Sequence, residues 1–137
     1  MKKYITFILV FMMIAVASVS CFAAATPSLV VDNAGLLSET ERQSLEARLS
    51  EISDKYSADI VVVTENYIGN ATPTEYADDF FDYNGYGRGE NRDGALLLIS
   101  MEDRDWYVST SGSCIDSISY SIIGRRILSD LSDGDYY

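Results

Sequence analysis

The segment DIVVVT, residues 59–64, is β-branched and almost wholly apolar, which is typical of a central strand covered on both faces of its sheet. A second apolar run, ALLLIS at 95–100, predicts another buried strand. The alternating segment WYVST at 106–110 follows a polar turn at 102–105, so these two strands are expected to form a hairpin. Upstream, LVVD at 29–32 predicts a short first strand.

Helix signals separate these strands. Ser38 and Glu41 have the spacing of a capping box, in which each side chain accepts a hydrogen bond from the other residue's backbone N–H. Residues 72–75 repeat the pattern with proline at the first helical position. Apolar residues recur after the first box at helical spacing, and we expect them to form its buried stripe: Leu45, Leu49, Ile52 and Tyr56.

The second helix has an aromatic side formed by residues 76–84, and the glycine-rich segment 85–89 ends it. A last helix is expected from Ile115 to about Leu131. Strands that alternate with capped helices predict an α/β class chain, here a three-layer α/β/α sandwich with a small mixed four-stranded sheet. The helical crossovers should be right-handed, which leaves the return strand of the hairpin antiparallel.

The first 25 residues have the anatomy of a secretory signal peptide. A basic start at Lys2 and Lys3 precedes an uncharged apolar run at 4–19, and 23–25 supply the small residues of a cleavage site. We therefore expect a signal peptide at 1–25, a domain at 26–137 and an extracytoplasmic location. A retained membrane anchor and a lipoprotein acylated at Cys21 are the alternatives.

Composition excludes several classes of function. Without the leader the chain holds 8 basic and 21 acidic residues, a formal charge of −13, so nucleic acid and anionic lipid are not expected partners. The chain contains no histidine, which excludes the Ser-His and Cys-His dyads and the usual zinc sites. Only Cys114 remains after cleavage, so no internal disulfide can form, and it is expected to be a small buried filler.

Taken in order, four segments resemble the TPM domain family: VVDNAGLLS at 30–38, EYADDFF at 75–81, NRDGALLLI at 91–99 and EDR at 102–104. That family includes thylakoid-lumen proteins of photosystem repair and an accessory subunit of an acetylcholine receptor. The resemblance implies an α/β/α sandwich that is exported or tethered to a membrane. It also implies divalent-cation binding in some members and acid phosphatase activity in others.

The chain departs from the family pattern in two places. Relatives carry Gly-x-Gly after the fourth strand and then an acid in the last helix, whereas this chain has GSCID at 112–116 and Tyr120 at the later position. Relatives also continue where this sequence stops, with a further helix and, in many bacterial members, a transmembrane segment. We therefore expect the domain to be incomplete at its C-terminus, with a membrane tether possible beyond Tyr137.

Carboxylates near the ends of strands are the candidate ligands of a hard cation, Ca²⁺ or Mg²⁺, which prefers oxygen atoms. The hairpin brings the start of the third strand beside the end of the fourth, so Asn91, Asp93 and Asp116 are expected to meet there. Asp32 completes the predicted set because it is the most family-like acid. If the first strand is parallel to its neighbours, however, Asp32 lies at the opposite end of the sheet. The other interpretation of Asp32 and Asp93 is that they are turn residues bonded to their own backbone.

Two functions remain open. One is an exported module that binds a divalent cation and serves as an accessory or quality-control factor for a membrane protein complex. The other is a metal-dependent acid phosphatase, in which Asp93 or Asp32 attacks phosphate or activates water, and Arg88, Arg92 or Arg104 holds the phosphate. The loop at 85–89 follows a helix and lacks the Gly-Lys-Ser/Thr of a nucleotide-binding loop, so no nucleotide is expected.

Overall fold

The computed structural model describes residues 27–118 of the 137-residue chain. The elements follow one another as the sequence predicts, in the order strand, helix, strand, helix, strand, strand, helix. Their bounds are β1 Val30–Asp32, α1 Glu39–Tyr56, β2 Asp59–Glu65, α2 Pro73–Tyr83, β3 Gly94–Ser100, β4 Asp105–Ser111 and α3 Cys114–Ser117.

The four strands form one mixed sheet in the order β1-β2-β3-β4. β1, β2 and β3 are parallel, with Asp32 opposite Thr64 and Gly94 opposite Asp59. β3 and β4 are the predicted antiparallel hairpin, in which Gly94 is opposite Ser111. The α/β class and the mixed four-stranded sheet are therefore confirmed.

Both predicted capping boxes are present. Ser38 Oγ accepts a hydrogen bond from the backbone N–H of Glu41 at 3.4 Å, and Glu41 Oε2 accepts from the N–H of Ser38 at 2.8 Å. Thr72 and Glu75 repeat the exchange at 3.2 and 3.0 Å, and Pro73 occupies the first turn. Each box satisfies N–H groups that have no partner inside the helix, which sets where each helix begins.

One face of the sheet carries the core. The core residues of β2 and β3 alternate along each strand, so they lie on one face of the sheet. Both long helices pack on that face, because two right-handed crossovers that proceed in the same direction across a sheet place their helices on the same side. The buried members of this cluster from the two strands and two helices are Leu49, Val61, Val63, Ala77, Phe81, Leu96 and Leu98. Cys114 is also buried, as predicted.

The predicted stripe of α1 is wrong in its last turns. Leu49 is buried and Leu45 packs against the core, but Ile52 is 41% exposed and Tyr56 is 66% exposed. The helix instead buries Ser53, whose Oγ accepts a hydrogen bond from the backbone N–H of Ile60 at 3.0 Å. A small polar side chain at this position lets the end of α1 bond directly to the start of β2.

The last helix was predicted to continue from Ile115 to about Leu131, but it ends at Ser117, and the backbone of Ile118 is extended. The leader with Cys21, the position of Tyr120 and the rest of that predicted helix fall outside residues 27–118. Any part of the predicted sandwich that depends on residues after 118 also lies outside the described residues. Within the described part of the chain, no helix has both the length and the apolar character needed to cross a bilayer.

Candidate functional site at the amino end of the sheet

The predicted ligands are divided between the two ends of the sheet. Asp32 ends β1 opposite Thr64, near the carboxyl ends of the parallel strands. Asp93 precedes Gly94, which is opposite Asp59 at the amino ends. The separation along β2 is about 17 Å. Since a hard cation holds its ligands at about 2.0–2.6 Å, Asp32 cannot share one ion with Asp93.

At the amino end of the sheet, where the parallel strands begin, the loop that leads into β3 (the entrance loop) contacts the loop that follows β4 (the exit loop). Asp93 Oδ1 accepts a hydrogen bond from the backbone N–H of Ser113 at 2.6 Å. A Cβ added to Gly112 would lie 2.1 Å from Asp93 Oδ1 and 2.8 Å from the carbonyl oxygen of Asn91. Two oxygens of the entrance loop therefore converge on one point of the exit loop. We call Asn91, Asp93, Gly112, Ser113 and Asp116 the amino-end cluster.

Backbone bonds fix the position of Asp93. Its N–H donates to the carbonyl of Arg88 at 2.8 Å, and its own carbonyl accepts from the N–H groups of Arg88 and Asp59, each at 3.0 Å. These bonds pair the loop after α2 with the start of β3. The hydrogen bond found for its carboxylate comes from Ser113 and not from its own turn, and a carboxylate with two oxygens keeps acceptor capacity beyond that bond.

Short helix α3 begins two residues after Gly112 and carries Asp116 on an exposed position. The buried Cys114 lies close enough to Asp93 for its charge to act on the thiol. Burial, followed by the negative charge of Asp93, raises the pKa of Cys114. The thiol is therefore held in its neutral form and is not an activated nucleophile.

At the carboxyl end, Asp32 fastens the loop between β1 and α1. Its Oδ1 accepts from the N–H of Leu36 at 3.0 Å and its Oδ2 from the N–H of Leu37 at 2.8 Å, and Thr64 Oγ1 also donates to it. Burial raises the pKa of Asp32, but the bonds from Thr64 and the loop N–H groups outweigh it, so the pKa lies below its ordinary value. Asp32 is a turn residue with its oxygens engaged.

Glu65, one residue beyond Thr64, is a buried carboxylate that the sequence analysis did not single out. Its Oε1 accepts from Asn33 Nδ2 at 2.7 Å and from the hydroxyl of Tyr76 at 2.9 Å, and its side chain is 8% exposed. Burial, then the hydrogen bond to Glu65 and its charge, raises the pKa of Tyr76 to about 12. An acid directly after a buried strand was the available signal in the sequence.

Two of the three arginines proposed to hold phosphate, Arg88 and Arg92, are paired with acids. Arg88 bonds Asp59 through Nε and Asp54 through Nη1, both at 2.7 Å. Arg92 bonds Asp82 at 2.8 Å and also donates to the carbonyl of Tyr86. Each guanidinium thus already has a carboxylate in the position that a phosphate would need.

The structure therefore brings Asp93 and the backbone of Asn91 together, places Asp116 on the helix that follows the same loop, and leaves Asp32 at the other end. Among residues 27–118, no three acidic or cysteine side chains lie in an arrangement that could hold a metal ion. The cation site at Asn91, Asp93 and Asp116 remains a prediction that requires Asp116 to turn toward Asp93.

Solved structures of other proteins share the fold, among them the following two. The N-terminal domain of a protein from P. gingivalis, solved by NMR, is 27% identical, with a TM-score of 0.70 over 82% of this chain and 74% of that one. The N-terminal domain of a protein from Corynebacterium glutamicum is 17% identical, with a TM-score of 0.60 over 82% of this chain and 75% of that one. The second likeness concerns the fold alone.

Comparison of the sequence with known proteins and with family models gives two further results. No curated protein matches the chain. The family model described as the TPM domain matches residues 30–137, which is most of the sequence.

Proposed function

Since the chain belongs to the TPM domain family, we propose that it is an exported TPM-domain module that binds a divalent cation at the amino-end cluster. In this proposal it serves as an accessory or quality-control factor for a membrane protein complex. The proposed cation site is supported by one observation: Asp93 Oδ1 and the carbonyl oxygen of Asn91 converge beside Gly112. Bound Ca²⁺ or Mg²⁺ would add Asp116 and draw the entrance loop, the exit loop and α3 together.

The accessory role follows from the resemblance to non-enzymatic members of the family. The described surface supports it by offering apolar side chains for contact. Ile52 and Tyr56 are one turn apart on α1 and are 41% and 66% exposed. The high negative charge of the chain favours a partner with a basic face.

The contacts favour this module over a metal-dependent phosphatase. Arg88 and Arg92 each lie against a carboxylate, and Arg104 lies in the turn before β4, at the far end of the hairpin from Asp93. The phosphatase is tested by assaying an aryl phosphate with wild type and Asp93→Asn purified side by side. Turnover that falls in the variant would favour the enzyme, and equal turnover would exclude Asp93 as its catalytic group.

The cation is tested by titrating the purified chain with Ca²⁺ and with Mg²⁺ while thermal unfolding is recorded. Binding to the folded state raises stability as RT ln(1 + [L]/Kd), about 2.7 kcal/mol at a hundredfold excess over Kd. Asp93→Asn keeps an oxygen that can accept from Ser113 but removes the charge, so we expect it to abolish most of the shift.

Asp116→Asn should reduce the shift as well. Asp79→Asn is the matched control, because Asp79 is an exposed acid of α2 outside the amino-end cluster, and it should respond as wild type does. No shift of the wild-type unfolding temperature at millimolar metal would remove the cation from the proposal. An equal loss in all three variants would indicate nonspecific charge screening.

A further inference from the structure

A cavity of about 420 Å³ opens beside the start of β1 and lies within the size range of small-ligand pockets. We call it the N-terminal pocket. Its wall is formed by the segment that leads into β1, by α1 and by the loop after α2. The lining residues that matter here are Pro27, Leu29, Glu46, Asp54, Asp59 and Arg88.

The segment that leads into β1 is held against this pocket. The carboxylate of Glu46 accepts from the N–H of Leu29 at 2.9 Å, from the N–H of Val30 at 2.8 Å and from Ser28 Oγ at 2.7 Å. The hydroxyl of Tyr86 donates to the carbonyl of Ser28 at 2.6 Å. These hydrogen bonds hold residues 28–30, which directly follow Pro27, against the folded domain.

The pocket carries more negative than positive charge. Glu46, Asp54 and Asp59 contribute three carboxylates, and the only cation in its lining is Arg88, which Asp54 and Asp59 share at 2.7 Å each. All the hydrogen-bond donors found for Glu46 are neutral. The lining side chains therefore carry a formal charge of −2, which Arg42 outside the lining offsets in part at Glu46, so the pocket favours a small positive group that carries N–H donors.

We propose that the N-terminal pocket binds the α-ammonium group of the chain itself, released at Thr26 when the leader is removed. This inference rests on the proposed export. Hydrolysis of the Ala25–Thr26 bond consumes one water and leaves a carboxylate on Ala25 and an amine on Thr26, which takes up the released proton at neutral pH. Thr26 is bonded directly to Pro27, a lining residue, so the proposed charge would arise one residue from the pocket.

The uncleaved chain has an uncharged amide at the same position. Cleavage therefore supplies a positive α-ammonium group to a pocket that carries surplus negative charge. The mature domain should then be more stable than a form whose N-terminus is uncharged. The pairing would link stability of the domain to completion of its export.

The chain offers a specific test because lysine is scarce. Lys2 and Lys3 leave with the leader, so Lys55→Arg makes the α-amine at Thr26 the one primary amine of residues 26–137. The variant is exported with its own leader, its mass is measured, and half of the sample is acetylated at that amine. Both halves are then unfolded by heat at pH 7, at low salt and with a chelator present.

We expect the acetylated form to unfold about 4 °C lower, as the loss of one partly buried ion pair would produce in a domain of this size. Asp54→Asn should narrow this difference. Glu51→Gln, a change of the same charge at an exposed acid of α1 outside the pocket lining, should preserve it.

Equal unfolding temperatures of the free and acetylated forms would overturn the inference, as would equal effects of Asp54→Asn and Glu51→Gln. The mass of the exported chain tests cleavage separately: a product that begins elsewhere than Thr26 also overturns it. The chelator separates this experiment from cation binding, so failure of the metal titration would leave the expected temperature difference unchanged.

Discussion

At the scale of single residues, Gly112 is the described glycine whose added Cβ would come nearest to another atom, at the loop that leads into β3. Gly112 has φ +62°, a left-handed conformation that a side chain makes costly, and the space where a Cβ would stand is taken by Asp93 Oδ1 and the Asn91 carbonyl. The glycine is required here for two independent reasons. Any larger residue must move the carboxylate on which the proposed cation site depends.

Gly112→Ala should lower the free energy of unfolding by about 3 kcal/mol, because left-handed strain and displacement of Asp93 add together. Gly69→Ala is the matched control: Gly69 has φ +73° but nothing within 4 Å of the added Cβ, so only the backbone cost of about 1–2 kcal/mol remains. Urea unfolding of both variants measures the difference. Equal losses would mean that the contact with Asp93 contributes nothing.

At the scale of elements, nearby residues determine where each helix begins, but they do not determine which face of the helix is buried. Both capping boxes were predictable because a box needs only residues three apart in the sequence. The buried stripe of α1 was predicted incorrectly at Ile52 and Tyr56, since periodicity cannot show that β2 begins close to the end of α1. Ser53 is buried there because Ile60 needs an acceptor for its N–H.

Thr72→Ala should destabilise the protein by about 1 kcal/mol, because the N–H of Glu75 loses the threonine oxygen that caps α2. Thr74→Ala, two residues later on the exposed side of the same helix, removes a hydroxyl that does not cap and should cost much less. Comparing the urea midpoints of the two variants checks this. A larger loss for Thr74→Ala would contradict the assigned start of the helix.

At the scale of the whole molecule, α2 is docked on the sheet by a hydrogen bond as well as by apolar packing. The hydroxyl of Tyr76 reaches from the helix to Glu65 at the end of β2. Because burial and Glu65 raise the pKa of Tyr76 from 10 to about 12, the folded state keeps this proton at a pH where the unfolded chain releases it. That stabilisation is complete below pH 10 and is lost as pH rises toward 12.

Tyr76→Phe should therefore flatten the fall of stability between pH 10 and pH 12, while it lowers stability at neutral pH because Glu65 loses a donor. Tyr86, whose pKa burial also raises, keeps part of the slope in the variant. Tyr67→Phe, at a tyrosine that is 58% exposed, is the control and should retain the slope of wild type. An unchanged slope in Tyr76→Phe, measured by urea unfolding across this range, would contradict the assigned role of Tyr76.

The candidate site was only partly predictable. The hairpin signal in the sequence was enough to place Asn91 and Asp93 beside Gly112 and Ser113. It did not reveal that Arg88 and Arg92 are neutralised by acids distant in sequence, or that Glu46 clamps the start of β1. Such pairs join residues from different elements, and the hydrophobic period of the sequence does not indicate which side chains will meet.

The sequence by itself determined the order of strands and helices, the α/β class and the beginnings of the helices, because hydrophobic period and capping act over a few neighbouring residues. Only the tertiary structure decided which end of the sheet each carboxylate occupies. Parallel pairing of β1 with β2 carries Asp32 away from Asp93, and the direction of a strand depends on how the chain crosses over between strands, which no local pattern records.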